Sequence, residues 1–181
     1  PYVQAAKADG RRLIYFRFAP HAALVPESAG AEMHHVDPAS GFENFVCDVH
    51  AVIERAGRGA VYVFDCLSHL ADTWKADQSL GNFFMLTCPY LYDHGDIAYF
   101  ALLRDLHSNE AVMPIRETCQ VMVDVHRSEG EIYLRPLKTQ QRYSPTMYMM
   151  HHWREGAFDP ISESYTIANV LHEAPPSAVG C

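Results

Sequence analysis

The 181-residue chain contains no run near the ~20 apolar residues that a membrane-spanning helix needs. It has no basic block. Its 14 Lys and Arg are outnumbered by 22 Asp and Glu, for a net charge of −8. That balance argues against nucleic acid or an anionic membrane as a partner. No C-x-x-C pair occurs among the five cysteines Cys47, Cys66, Cys88, Cys119 and Cys181. An odd number of widely spaced thiols fits a reducing cytoplasm better than a disulfide framework. There are 11 histidines but no H-E-x-x-H and no Cys/His ligand spacing. The pairs His34-His35 and His151-His152 are adjacent, and neighbours on a strand point to opposite faces. G-x-S-x-G is missing, so Ser108, next to His107, reads as a helix N-cap and not as a nucleophile. The phosphate-cradling loop G-x-x-x-x-G-K-[ST] is missing as well. What remains, at 49% apolar and 20% charged residues, is a globular chain large enough to bury a core.

The strongest signal is Gly59-Ala60-Val61-Tyr62-Val63-Phe64-Asp65. Five apolar residues, β-branched or aromatic in the main, run unbroken into one carboxylate. Lack of alternation suits a strand buried on both faces of a parallel sheet. Asp65 then falls at the carboxyl end of the strand, where open α/β sheets bind ligands. A carboxylate there can hold Mg²⁺; the competing reading is a helix cap or a solvent contact.

Around this stretch the pattern alternates strand and helix. Residues 2–10 read as the last turns of a helix stopped by Gly10, which implies a preceding strand and loop. Leu13 to Phe18 is a second apolar strand, interrupted by Arg17. Residues 19–30 form a Pro/Gly loop, and Glu32 to Val36 a short strand. A helix follows with Phe42, Phe45, Val46, Val49, Val52 and Ile53 on one face. Cys66 to Leu70 opens another, and residues 82–92 are apolar and helical, with Pro89 expected to kink or divide them. The aromatics Phe83, Phe84, Tyr90 and Tyr92 there read as core. Asp96 to Leu103 reads as the next buried strand, and residues 109–118 as a helix. A hairpin runs from Gln120 through Ser128-Glu129-Gly130 to Thr139. Thr146 to Met150 reads as one more strand. The expected fold is an α/β three-layer sandwich, mostly parallel, with an antiparallel hairpin at one edge. Residues 1–155 are expected to form this body, and residues 156–181 a C-terminal extension ending in the linker Ala174-Pro175-Pro176-Ser177.

With these elements placed, the chain resembles the ATPase core of the RecA/KaiC-like family. The resemblance rests on Ala60 to Asp65 followed by Cys66-Leu67-Ser68, on the strand ending at Leu103-Arg104, and on the hairpin followed by Arg142-Tyr143-Ser144. It is closer still to the KaiC-like domain at the N-terminus of phosphoenolpyruvate synthase and pyruvate, phosphate dikinase-like proteins. Leu13 to Ala19, Val63 to Ser68, Leu80 to Phe84, Tyr99 to Arg104 and Gln141 to Met147 carry that match. The resemblance implies a RecA-like fold and a nucleotide edge using ATP and Mg²⁺, with Asp65, Ser68, Arg17 and Arg104 near it and Asp65 the Mg²⁺ ligand. It implies Lys138 and Arg142 as contacts to a neighbouring subunit's nucleotide, hence a homo-oligomer. It also implies a neighbouring phosphotransferase domain in the same parent chain.

The departures from the family are chemical. Its members carry paired glutamates after the second strand to activate water, whereas here Arg17-Phe18-Ala19 stands in that place. A guanidinium is no general base at neutral pH. Lys138 and Arg142 are spaced more widely than in the family. Two expectations follow: a catalytically incomplete domain that regulates or docks a phosphotransferase, with no catalytic residue of its own, or an active KaiC-type ATPase completed by an upstream phosphate loop.

Overall fold

The computed structural model describes residues 2–18 and 30–172, excluding the side chains of Tyr2 and Gln4. The expected loop at 19–29 and the linker at 174–177 lie outside these residues. The chain is mixed α/β and divides into two compact units, at Thr118 and Cys119.

The first unit holds α1 (Tyr2–Ala8), β1 (Leu13–Arg17), β2 (Glu32–His34), α2 (Phe42–Ala56), β3 (Val61–Asp65), α3 (Ser68–Trp74), α4 (Gln78–His94), β4 (Ile97–Phe100) and α5 (Asn109–Thr118). Its four strands pair in the order β2-β1-β3-β4, all parallel. Register sets Leu13 beside Val61 and Arg17 beside Asp65, and Phe64 beside Phe100. The expected parallel neighbours are therefore neighbours.

Side-chain parity sends β1 and β3 into two different apolar layers. Phe16, Phe64 and Phe100 form one row, with centroids 4.9 and 4.3 Å apart. Phe45 of α2 and Phe83 and Phe84 of α4 close over that row. On the other face, Leu13, Tyr15, Val61 and Val63 cluster with Ala6 of α1, and Val3 packs alongside. β3 is buried at every position, which is why its sequence shows no alternation.

The helices begin and end where their sequences direct. α2 buries the predicted stripe from Phe45 to Ile53, and Gly57 at φ 77 ends it. α4 is not divided at Pro89 but runs through it to Gly95, where φ is 71. Gly81 lets α5 approach α4. A Cβ there would lie 3.0 Å from the Ala111 carbonyl oxygen and 3.3 Å from Pro114, so only glycine fits without displacement.

Two expectations in this unit fail. β4 is shorter than Asp96 to Leu103 and is not buried, with Ile97 42% and Tyr99 40% exposed. Among the described residues it is the last strand of the sheet, whereas β3 lies between two strands. Tyr92, in the last turn of α4, is 68% exposed and is not core.

The second unit is an antiparallel sheet in the order β5-β6-β7-β8, built from β5 (Val121–Ser128), β6 (Glu131–Thr139), β7 (His151–Arg154) and β8 (Ala157–Pro160). The hairpin forms as expected, turning at Glu129 and Gly130, both at positive φ as a tight two-residue turn requires. It is not an edge of the parallel sheet, however. β6 pairs on its second side with β7, so the hairpin belongs to a separate sheet. Thr146 to Met150 is turn and not strand, with Tyr148 at φ 66, and the strand starts at His151. The expected extension holds β8 and α6 (Ser164–His172). Arg135, Met150, Ile161, Ile167 and Leu171 line a cavity of about 430 Å³ beside α6.

Truncating Phe64, which is fully buried in the aromatic row, is expected to cost about 3–5 kcal/mol. Tyr143→Ala, at a side chain 92% exposed, should stay within about 0.5 kcal/mol of wild type. Urea unfolding midpoints of the two variants check the contrast.

Candidate functional site

The candidate residues of the first unit gather at the carboxyl ends of its strands. β3 delivers Asp65 there because its five residues pair in full register with β1. Asp65 is only 2% exposed, and its Oδ2 accepts a hydrogen bond from the Tyr15 hydroxyl. Tyr15 reaches it because residues 13, 15, 63 and 65 share a face. The Asp65 main-chain oxygen accepts from the Phe18 amide at 2.7 Å, fastening the end of β1 to the end of β3. Arg17 is the lateral neighbour of Asp65 in the sheet. A carboxylate ringed in this way is an interior hydrogen-bond acceptor and offers little open face to a cation.

Ser68 begins α3 three residues later and is also 2% exposed. Its Oγ accepts from the Leu103 amide at 2.9 Å and lies 2.7 Å from His107 Nε2. His107 Nδ1 is 2.5 Å from Asp77 Oδ1, and Asp77 Oδ2 accepts from the Ser108 amide at 2.7 Å. A carboxylate accepts only, so Nδ1 carries the ring proton and Nε2 receives the Ser68 hydroxyl. Ser108 also takes its expected capping place, its Oγ accepting from Ala111 N at 3.2 Å.

The connectivity of Ser68, His107 and Asp77 is that of a Ser-His-Asp relay. Access separates it from a working nucleophile. The Ser68 oxygen is buried and already engaged by two partners, and the His107 side chain is 4% exposed. An acyl carbon has no approach to Oγ. The network instead joins the start of α3, the segment before α4 and the segment after β4. Partial burial works to raise the Asp77 pKa, but hydrogen bonds from Ser108 and His107 outweigh it and hold the carboxyl below its usual range.

Arg104 pairs with Asp105 at 3.2 Å. Lys138 and Arg142 belong to the second unit, Lys138 on β6 opposite Met122 and Arg142 exposed in the turn beyond it. His152 lies 2.8 Å from Glu131 and stacks on Tyr133, and His151 Nδ1 is 3.0 Å from the Met149 carbonyl oxygen. Both histidines are thus interior polar groups of the second sheet. Among the described residues no three His, Cys, Asp or Glu side chains converge as a metal site would require. Cys47, Cys66, Cys88 and Cys119 form no disulfide with one another.

Sequence reasoning missed Tyr15 and Asp77. The signal for Tyr15 was parity with Asp65 across paired strands. Asp77 stands just before α4, where a carboxylate suggests a cap, but its link to His107 spans 30 residues and has no local signature. No protein-family model matches the chain, and no curated protein matches it.

Two outcomes are expected from this network. A fluorophosphonate probe should leave Ser68 unlabelled in the folded chain, as read by intact mass. Asp77→Asn should cost about 1 kcal/mol at pH 7, modest because the group is partly solvated. The folded pKa of Asp77 lies below its unfolded value. Its stabilisation is therefore complete above the ordinary Asp value and lost as pH falls through the folded one. Urea midpoints for wild type and Asp77→Asn should accordingly converge below about pH 4.

Proposed function

We propose that this chain is a RecA/KaiC-like domain that does not hydrolyse nucleotide and serves as a regulatory or docking module for a phosphoenolpyruvate synthase-like phosphotransferase domain in the same parent chain, in the cytoplasm. The observation that carries the reading is Asp65. It stands at the carboxyl end of the central buried strand, where a Mg²⁺-holding carboxylate would stand, yet it is buried against the Tyr15 hydroxyl. Arg17 occupies the place of the water-activating carboxylate. The reading draws support from a parallel sheet that carries α1 on one face and α2 and α4 on the other, as the proposed three-layer sandwich requires.

Phosphoryl transfer depends on positioning and charge neutralisation, supplied in this class by a phosphate loop and a bound metal ion. The residues present supply no such loop. Loss of a general base alone removes typically ~10²–10⁴-fold in rate. The second reading, an active ATPase completed upstream and assembled with Lys138 and Arg142 at a neighbouring subunit, draws support from the placement of Asp65 and Ser68 at the ligand-bearing edge.

Incubation of the purified chain with ATP and Mg²⁺ separates the two. The expected result is phosphate release no faster than in the Asp65→Ala control, with any turnover of the full parent protein surviving Asp65→Ala. Turnover abolished by Asp65→Ala, in either protein, would replace the docking reading with the ATPase reading.

A further inference from the structure

The antiparallel sheet of the second unit turns polar side chains inward. Asp124 lies opposite Arg135 across β5 and β6, His126 opposite Tyr133, and Tyr133 opposite His152 of β7. Directly opposite residues share a face of the sheet, so these side chains stand together. Val123 and Val125 take the other parity on β5 and are 41% and 62% exposed. Polar groups on a covered face need partners. Arg135 has one in Asp124, whose Oδ2 accepts from Nη2 at 2.7 Å. A guanidinium carries further N–H donors in a fixed fork. The Nε of Arg135 is buried and donates to nothing among the described residues.

Arg135 lines the cavity of about 430 Å³ beside α6, and most of the remaining wall is apolar: Met149, Met150, Ile161, Ile167 and Leu171. Met150 is 2% exposed at its base, whereas Leu171 and Tyr148, at 41% and 68%, reach solvent at its mouth. The volume falls within the range of small-molecule clefts. At the ~30 Å³ that a water-sized group occupies, it holds about 14 non-hydrogen atoms. A buried donor in an apolar wall carries the cost of an unmade hydrogen bond, and an occupant that accepts from it removes that cost. Charge decides the class of occupant. Arg135 and Asp124 together are neutral. A carboxylate at Nε would stand beside the Asp124 carboxylate on one guanidinium, where a wall of low polarity screens the repulsion weakly. An ammonium would meet the guanidinium as a like charge and has no acceptor to offer. The carbonyl oxygen of an amide or a ketone accepts from Nε without adding charge.

We propose that this cavity binds a small uncharged molecule with an apolar body and one carbonyl acceptor. The carbonyl oxygen takes the hydrogen bond of Arg135 Nε, and the body lies against Met150, Ile161 and Ile167. Every lining residue belongs to the second unit. The site asks nothing of Asp65, so it stands or falls separately from the nucleotide question.

The test is a titration of the whole chain with octanamide, read by NMR at the Arg135 Nε–H and at the methyl groups of Met149 and Met150, with octanoate as the isosteric control. Saturable shifts at all three groups with octanamide, and binding of octanoate weaker by about tenfold or more, are the expected result. Arg135→Lys keeps a cation opposite Asp124 but has no Nε–H, so it should weaken octanamide binding by about tenfold in a chain that still folds. Asp124→Asn removes the balancing charge and should bring octanoate level with octanamide or ahead of it. Absence of saturable shifts, or equal affinity of the wild type for the two probes, would overturn the proposal. Methionine shifts beside an unmoved Nε–H would overturn it too, by assigning that donor to an ordered water.

Discussion

The aromatic row of Phe16, Phe64 and Phe100 sets the register on which the first unit depends. Three rings on three parallel strands, 4.9 and 4.3 Å apart, can stack only if the strands align as they do. A slip of one residue would turn every side chain of β3 to the wrong face. With the register held, Arg17 lies beside Asp65 and Tyr15 reaches the Asp65 carboxylate. The chemistry of the sheet's carboxyl edge is thus a consequence of packing one residue deeper.

That edge is rich in groups that carry chemistry in other settings: a carboxylate after a buried strand, an arginine beside it, and a serine, histidine and aspartate in a chain of hydrogen bonds. At Asp65, Ser68 and His107 the functional atoms face inward. Asp65 and Ser68 are almost wholly buried, and the Ser68 hydroxyl both accepts and donates internally. Buried polar groups satisfied in this way hold loops in one arrangement. Here they hold the segment after β4 to the starts of α3 and α4, a role suited to a surface that must keep its shape.

Much of this was legible from composition. The unbroken apolar runs at residues 13–16 and 61–64 are strands buried on both sides, and the 3.6-residue stripe of α2 is buried where it was placed. Local rules failed where tertiary position decided the outcome. Ile97 to Phe100 looks as apolar as β3, yet it is half exposed, since composition cannot distinguish an edge from a centre. Pro89 looks like a helix break, but a proline forfeits one main-chain hydrogen bond, and the buried stripe of α4 from Leu80 to Leu91 holds the helix across it. β7 and β8 are four residues each and alternate weakly, too little for a pattern to register. Asp65 was located correctly in the chain, but its partner sits 50 residues away in Tyr15, visible only once the strands are paired.

The central claim is that Asp65 is an interior acceptor and not a metal ligand. A ligand that binds only the folded state raises stability by RT ln(1 + [L]/Kd), about 2.7 kcal/mol at a hundredfold excess over Kd. Urea unfolding of the chain at increasing Mg²⁺, with Asp65→Asn in parallel, measures this directly. The account predicts wild-type midpoints that do not move with Mg²⁺ and an Asp65→Asn variant less stable at every concentration. A Mg²⁺-dependent rise in the wild-type midpoint that is absent from Asp65→Asn would contradict it.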